Sequence, residues 1–163
     1  MAQSESSGGE GVTTQGQFRL ERLYLKDASF ESPRSPDVFA ENWKPEMKLE
    51  INSGANALPD NRYEVVLTVT LRAKGEGGKT AFIIEVQQAG VFVLEGMDDA
   101  TRQRVLATVC PNTLFPYIRE MVDSMSVRGG FPAMQLTPVN FDVLFAEALA
   151  KKNPQTPADG VTH

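Results

Sequence analysis

Residues 62–94 constrain the fold more than any other part of the sequence, because apolar side chains recur there at every second position over two long stretches. The stretches 62–74 and 80–94 are joined by the turn sequence Gly75-Glu76-Gly77-Gly78. The first stretch places these side chains on one side: Tyr63, Val65, Leu67, Val69 and Leu71. A short glycine-rich connection favours antiparallel pairing, so the segment predicts a long hairpin.

Two more strands are predicted before this hairpin. Residues 17–31 mix apolar and charged side chains at a period close to two, broken once near Leu23–Tyr24, which indicates a long strand with a bulge. Residues 47–51 alternate strictly. The segment 32–45 contains three prolines and is predicted to be a loop, and 53–61 is rich in turn-forming residues.

The second half of the chain predicts helices. Asp98 or Asp99 is a suitable cap for a short helix that ends near Val109. A second helix is expected from Asn112 or Thr113 to the Gly129-Gly130 pair, with Pro116 in its first turn. A third is expected from Asn140 to Lys152, with apolar residues at helical spacing. Strands followed by helices predict an α+β fold, with a four-stranded antiparallel sheet and two to three helices.

The chain has 163 residues, the size of one ordinary domain. Residues 1–16 are rich in Ser, Gly and Thr and contain almost no large apolar groups, so a flexible tail is expected there. Residues 153–163 are likewise predicted to form a flexible C-terminal tail. A single folded domain is therefore expected over 17–152.

Several kinds of chemistry have no support in the sequence. The only histidine is His163, at the end of the chain, which argues against a histidine base or a multi-histidine metal site. Cys110 is the only cysteine, and its apolar surroundings favour a buried, inert thiol. The glycines at 75–78 lie between strands, so they predict a turn rather than a phosphate-binding loop. We expect no enzymatic activity, no cofactor, no metal and no use of ATP.

Charge and hydropathy exclude other classes. The formal net charge is −5, whereas a nucleic-acid-binding protein needs a basic face. The longest stretch without a charged side chain, 105–118, contains two prolines and is too short to cross a bilayer. The N-terminus has neither the basic nor the apolar block of a signal peptide. No nucleic-acid partner and no membrane insertion are expected, and the cytoplasm is the expected compartment.

The placement of apolar residues on the last strand has two interpretations. Ile83, Glu85 and Gln87 fall on one face, and the opposite face carries Phe82, Ile84, Val86 and Gln88. Either the helices cover the apolar face and the other face is an ordinary surface, or one sheet face is buried in an oligomer.

The proline-rich loop and the acidic residues also leave alternatives open. The only tryptophan, Trp43, follows Phe39 by four residues, and the pair either pins the loop to the core or forms the lip of a groove for an extended guest chain. Asp27 and Glu31 share parity on the first strand, and Glu85 lies beside Ile83. These acidic residues are either scattered solubilising charge or one acidic patch with aliphatic side chains between them.

Several blocks of the sequence resemble the SecB family of bacterial export chaperones. The blocks EVQQAG, CPNTLFPY and PVNFDVLF occur in this order and spacing. The resemblance extends from about Phe18 to Leu149 and also includes LYLKDASFESPRSPDVF, NWKPEMKLEIN and YEVVLTVTL. It implies an ATP-independent chaperone that holds secretory precursors unfolded in the cytoplasm, delivers them to the SecA motor, and assembles as a homotetramer, a dimer of dimers.

The same resemblance implies three sets of site residues. The SecA-binding residues would be Asp27, Glu31, Ile83 and Glu85. The dimer–dimer interface would include Ile84, Val86 and Gln88. The client-binding groove would be lined by Trp43, Met47, Leu49, Ile51, Phe115 and Tyr117.

Two features depart from the family pattern, and two other functions stay open. The N-terminal extension is long and rich in Gly and Ser, and the tail 153–163 has a single acidic residue, so a SecA contact through that tail would be weak. One alternative is a SecB-like chaperone dedicated to a toxin–antitoxin pair. The other is a small α+β enzyme of thioesterase type, which the lack of an internal histidine disfavours.

Overall fold

The computed structural model describes residues 16–152, in which a four-stranded antiparallel sheet carries three helices on one face. This confirms the predicted α+β architecture. The predicted tails, apart from Gly16, lie outside the described residues. The strands are β1 (Gln17–Glu31), β2 (Glu46–Leu58), β3 (Arg62–Lys74) and β4 (Thr80–Glu95), and the helices are α1 (Asp99–Ala107), α2 (Val109–Arg128) and α3 (Phe141–Lys152).

The strand order in the sheet is β1-β4-β3-β2. The predicted hairpin of β3 and β4 forms the centre, and β1 and β2 are the two edges. The loop 32–45 must therefore carry the chain from one edge of the sheet to the other. It does so on the helical face, where Trp43 stacks on Phe82.

Strand β2 is longer than predicted, because pairing with β3 outweighs the turn-forming composition of residues 53–58. Ser53 lies opposite Leu67, and Ala57 lies opposite Tyr63. The turn itself contains Asp60 and Asn61, both with positive φ.

The predicted bulge in β1 is in fact two. Register shifts lie between Leu20 and Arg22 and between Leu25 and Asp27, and neither is at the predicted position. Both bend the edge strand, as bulges do.

Two of the predicted helix caps are confirmed. The Thr101 N–H donates to Oδ1 of Asp98 at 2.7 Å, and the Val143 N–H donates to Oδ1 of Asn140 at 3.2 Å. Helix α2 begins earlier than predicted, at Val109, so Pro116 lies inside the helix rather than in its first turn. Packing of this helix against the sheet offsets the backbone hydrogen bond that the proline removes.

The core lies between α2 and the two central strands. Leu114, Ile118 and Val122 of α2 are fully buried, and so are the facing residues Leu67, Val69, Ile84 and Val86 of the sheet. The helical face is less well covered over the edge strands, where Leu25 is 46% and Leu49 is 38% exposed. Uncovered apolar side chains on this face are where a binding surface is expected.

Candidate functional site

An apolar groove of about 530 Å³ lies between edge strand β2 and helices α1 and α3. Its strand side includes Ile51 and the small residues that follow it. Its helical side includes Leu106, Leu144, Phe145, Ala148 and Leu149.

Small side chains on β2 open this groove. The strand continues past Ile51 as Asn-Ser-Gly-Ala-Asn-Ala, and Gly54 has no atom within 4 Å of the position that a Cβ would take. Helix α3 presents an apolar stripe to this space that the strand does not fill. Leu144 therefore remains 43% exposed and Leu149 47% exposed. An extended chain with large apolar side chains would find room there.

An aromatic cluster lies at the other end of β2. Trp43 stacks on Phe82 with ring centroids 6.2 Å apart, and its ring lies 5.2 Å from Phe131. Phe39 lies 5.3 Å from Phe131 and is 50% exposed. Both loop aromatics therefore pin the loop to the core, and Phe39 also borders the surface. Their role as the lip of a groove stays a prediction.

The side chains of Met47, Leu49 and Ile51 connect the cluster to the groove. They lie opposite Ala73, Leu71 and Val69, all on the helical face of the sheet. The four steps from Met47 to Ile51 span ~14 Å at ~3.4 Å per residue. Trp43, Met47, Leu49 and Ile51, which were predicted together, therefore lie along one edge of the molecule.

The two residues predicted from α2 do not lie together. Phe115 is nearly buried and makes an edge-to-face contact with Phe141 of α3, with centroids 6.2 Å apart. Tyr117 is rotated about 200° further around the helix and is 47% exposed. Tyr117 consequently does not share a groove with Phe115.

Sequence reasoning missed the helical wall of the groove. The apolar residues of α3, which include Leu144 and Leu149, were recognised only by their helical spacing, and Leu106 of α1 was not singled out. Phe131 of the aromatic cluster was not singled out either. The periodicity of a helix shows that a stripe exists, but not whether another element covers it. The run of small residues in β2 was the available signal.

The opposite face of the sheet carries the predicted acidic residues. Glu31 lies directly opposite Ile83, and Glu85 and Asp27 lie on the same face in neighbouring register positions. Thr70 Oγ1 donates to Glu85 at 3.4 Å. Within residues 16–152, Asp27, Glu31 and Glu85 form no salt bridge. Three carboxylates around an aliphatic side chain would suit a basic, partly apolar partner.

Another carboxylate on this face, that of Glu64, is paired with groups of the protein itself. Tyr24 Oη donates to Glu64 Oε2, and Lys26 Nζ donates to Glu64 Oε1 at 2.8 Å. These bonds, first from Lys26 and then from Tyr24, lower the pKa of Glu64. Burial, followed by the hydrogen bond and the charge of Glu64, raises the pKa of Tyr24 to about 12. Glu64 already has partners within the chain, unlike the acidic residues around Ile83, so it is not counted as part of the acidic patch.

The three residues predicted at the dimer–dimer interface are enclosed within one chain. Ile84 and Val86 are completely buried beneath α2, and Gln88 is only 6% exposed. Gln88 Nε2 donates to the backbone oxygen of Tyr24 at 3.0 Å, so its side chain has a partner inside the protomer. Their part in a dimer–dimer interface stays a prediction.

Cys110 has a free thiol that is enclosed in the core. Burial raises the pKa of its thiol to about 12.

In the part of the chain that the structure describes, no group of three or more His, Cys, Asp or Glu side chains is arranged to hold a metal ion. No helix among the described residues is long and apolar enough to cross a membrane.

The fold is similar to that of a solved SecB-like chaperone. The SecB-like chaperone of Mycobacterium tuberculosis, solved with a ChAD peptide from an antitoxin, matches with a TM-score of 0.60 at 19% identity, over 76% of this chain and 91% of that one.

Sequence relatives are closer still. Two proteins named "Protein-export protein SecB" are similar: that of Marinobacter nauticus is 46% identical over 95% of this chain and 93% of its own length. That of Hahella chejuensis is 49% identical over 90% and 92%. The family model "Preprotein translocase subunit SecB" matches residues 12–152. The chain belongs to the SecB family of protein-export chaperones.

Proposed function

We propose that this protein binds precursor proteins in an unfolded state, without ATP, and delivers them to the SecA motor for export from the cytoplasm. The observation that carries the proposal is the groove between β2, α1 and α3 in a member of a protein-export family. Its apolar walls belong to these three elements, and Leu144 and Leu149 of α3 remain partly exposed within it. The apolar side chains of an unfolded client would pack against these exposed leucines.

Weak and unselective binding suits such a role. The apolar edge of the molecule combines the aromatic cluster, the flexible side chain of Met47 and the groove. A client that contacts several of these sites, on more than one protomer, gains avidity because each further site is engaged at high effective concentration. Each contact can stay weak enough for release.

We propose that SecA binds the acidic residues on the face of the sheet opposite the helices, called the open face below. Asp27, Glu31, Ile83 and Glu85 share that face of the sheet, whereas the groove lies on the helical face. Separation by the thickness of the sheet supports a transfer in which SecA engages the chaperone while the client is still bound. We therefore expect SecA binding and client holding to be separable by mutation.

We propose a homotetramer, a dimer of dimers, whose dimers meet through the outer side of α2. Tyr117 is 47% and Val127 57% exposed on this helix, although its inner side is filled by the core. Exposed apolar side chains on one long helix are typical of a protein–protein interface. Ile84, Val86 and Gln88 would then affect assembly indirectly, by supporting α2 from beneath.

A chaperone dedicated to one antitoxin is the second candidate. The Mycobacterium tuberculosis protein was solved with an antitoxin peptide, and the likeness at 19% identity concerns the fold. The relatives at 46% and 49% identity are named for protein export, which favours the first candidate.

Recovery of bound proteins from growing cells separates the two. The tagged chaperone is isolated by rapid affinity capture, and the bound polypeptides are identified by mass spectrometry. We expect many precursors with uncleaved signal sequences. A single antitoxin would support the second candidate, and the absence of precursors would contradict the first.

A further inference from the structure

The loop 32–45 is fastened to the β3–β4 hairpin by one arginine. The Arg34 guanidinium forms a bidentate ion pair with Glu41, in which Nη1 donates to Oε1 and Nη2 donates to Oε2 at 3.3 Å. Arg34 Nε also donates to the backbone oxygen of Thr80 at 3.1 Å, and Nη2 donates to that of Lys79 at 3.4 Å. One side chain thus joins both halves of the loop to the hairpin.

Two further bonds hold the same segment. The Asn42 N–H donates to Glu76 Oε1 at 3.3 Å, and Ser32 Oγ donates to the backbone oxygen of Ala81 at 3.2 Å. The side chains of Arg34 and Glu41 are only 22% and 23% exposed. Partly buried charge pairs of this kind are less screened by salt than exposed ones.

The charges around the pair agree with this geometry. The hydrogen bond from Arg34 is the main cause that lowers the pKa of Glu41, and Lys79 contributes. The pKa of Arg34 is raised, chiefly by Glu41, with smaller effects of Asp37 and Glu76. Both groups therefore remain charged at neutral pH.

The loop that this pair fastens carries Phe39 and Trp43. Both rings pack on Phe131, and Trp43 also stacks on Phe82, so the loop position determines the shape of the aromatic cluster. Phe39 remains half exposed, which leaves one of its faces open to a ligand.

We propose that Arg34 and Glu41 are positioning residues for client binding: their ion pair holds the loop so that Phe39 and Trp43 form a preformed aromatic end to the apolar edge. This inference rests on the client-holding function proposed above. A loop that is already ordered does not have to be ordered when a client binds, so more of the contact energy appears as affinity.

Arginine is required for this arrangement by its shape. Its planar guanidinium donates to both oxygens of a carboxylate and to two backbone oxygens at the same time, whereas the three donors of a lysine ammonium lie on one nitrogen and cannot reproduce this geometry. Arg34→Lys should therefore act between the unmodified protein and Arg34→Ala.

The single tryptophan makes the loop directly observable. Fluorescence quenching of Trp43 by acrylamide is measured in Arg34→Ala, Arg34→Lys, Glu41→Ala and the double variant Arg34→Ala/Glu41→Ala. The affinity for a precursor kept unfolded by reduction and alkylation is measured by calorimetry on the same samples. Arg62→Ala is the matched control, because Arg62 also makes a bidentate pair, with Glu21, on the open face of the sheet.

We expect Arg34→Ala to make Trp43 more accessible to acrylamide and to raise the client dissociation constant about tenfold. The double variant should be no weaker than either single variant, because the two residues act as one unit. Arg34→Lys should recover part of both effects, and Arg62→Ala should change neither. Circular dichroism confirms that each variant is folded.

Two outcomes would overturn the inference: unchanged quenching of Trp43 in Arg34→Ala, or increased quenching with unchanged client affinity. Failure of the unmodified protein to bind the client would instead contradict the proposed function, and the inference with it. The quenching measurement distinguishes these cases, because it needs no client.

Discussion

The ring of Phe30 lies directly against the backbone of Gly129, where the end of β1 meets the end of α2. A Cβ at position 129 would overlap this ring. Phe30 cannot easily move away, because its ring centroid lies 6.1 Å from that of Phe82 and 6.4 Å from that of Phe131. The absence of a side chain at Gly129 is thus what lets the long helix dock on the sheet.

Gly129→Ala should lower the free energy of unfolding by about 1–3 kcal/mol, the usual cost of overpacking a core. Urea denaturation provides the measurement. Gly54→Ala is the matched control, since a Cβ there meets no atom within 4 Å, and its effect should stay within about 0.5 kcal/mol. Equal effects of the two substitutions would contradict the close contact.

Tyr24 should ionise in a step near pH 12, because its pKa is raised to about 12 from the ordinary 10.0. Since the pKa is higher in the folded state, the stabilisation is complete below about pH 10 and is lost as the pH rises towards 12. Ultraviolet absorbance of tyrosinate follows the step. It should disappear in Tyr24→Phe and move to lower pH in Glu64→Gln; a step unaffected by both changes would refute the assignment.

Substitutions beneath and outside α2 should act on different properties. Ile84→Ala should lower the free energy of unfolding by about 2–5 kcal/mol, because it leaves a cavity in the core. Tyr117→Lys should instead shift the assembly towards dimers with little loss of stability. Light scattering and urea denaturation report the two properties separately. A dimeric but fully stable Ile84→Ala variant would show that Ile84 contacts the second dimer directly.

The central hairpin and the helix caps could be predicted because their signals are local. Alternation specifies β3 and β4 residue by residue, and Asp98 and Asn140 cap the helices that follow them. The end of β2 could not be read in this way. Residues 53–58 have the composition of a turn and form a strand only because β3 lies beside them.

Parity also predicted which residues share a face, but not what covers that face. Asp27, Glu31 and Glu85 lie together, as expected from their strands. Ile84 lies on the apolar face of its strand and is buried by α2, whereas Leu144 belongs to the apolar stripe of α3 and is exposed. Coverage depends on how helices lie across the sheet, which periodicity does not encode.

Charge reversal on the open face should separate SecA binding from client holding. Asp27→Lys, Glu31→Lys and Glu85→Lys should each weaken SecA binding, most strongly at low salt, where surface charges are least screened. The same variants should still suppress aggregation of an unfolded precursor. Glu147→Lys on α3 is the control for a change of charge elsewhere. Loss of both activities together would contradict the assignment of this face.

Client binding should depend on the apolar area of the groove. Replacing both Leu144 and Leu149 by Ser should raise the client dissociation constant about tenfold or more, since burial is worth ~25 cal/mol per Å² and ~1.4 kcal/mol is a factor of ten. Single replacements should raise the dissociation constant less, because several weak sites contribute to client binding. Leu58→Ser is the control, because Leu58 is similarly exposed at the end of β2 but does not line the groove.

Calorimetry of an unfolded precursor binding to the Leu144→Ser/Leu149→Ser variant, in low and high salt, tests the central claim most directly. Apolar burial is not screened by ions, so the unmodified protein should keep its affinity in high salt while the correctly assembled double variant loses about tenfold in both conditions. Unchanged affinity in the double variant, or loss of affinity of the unmodified protein on adding salt, would contradict the account.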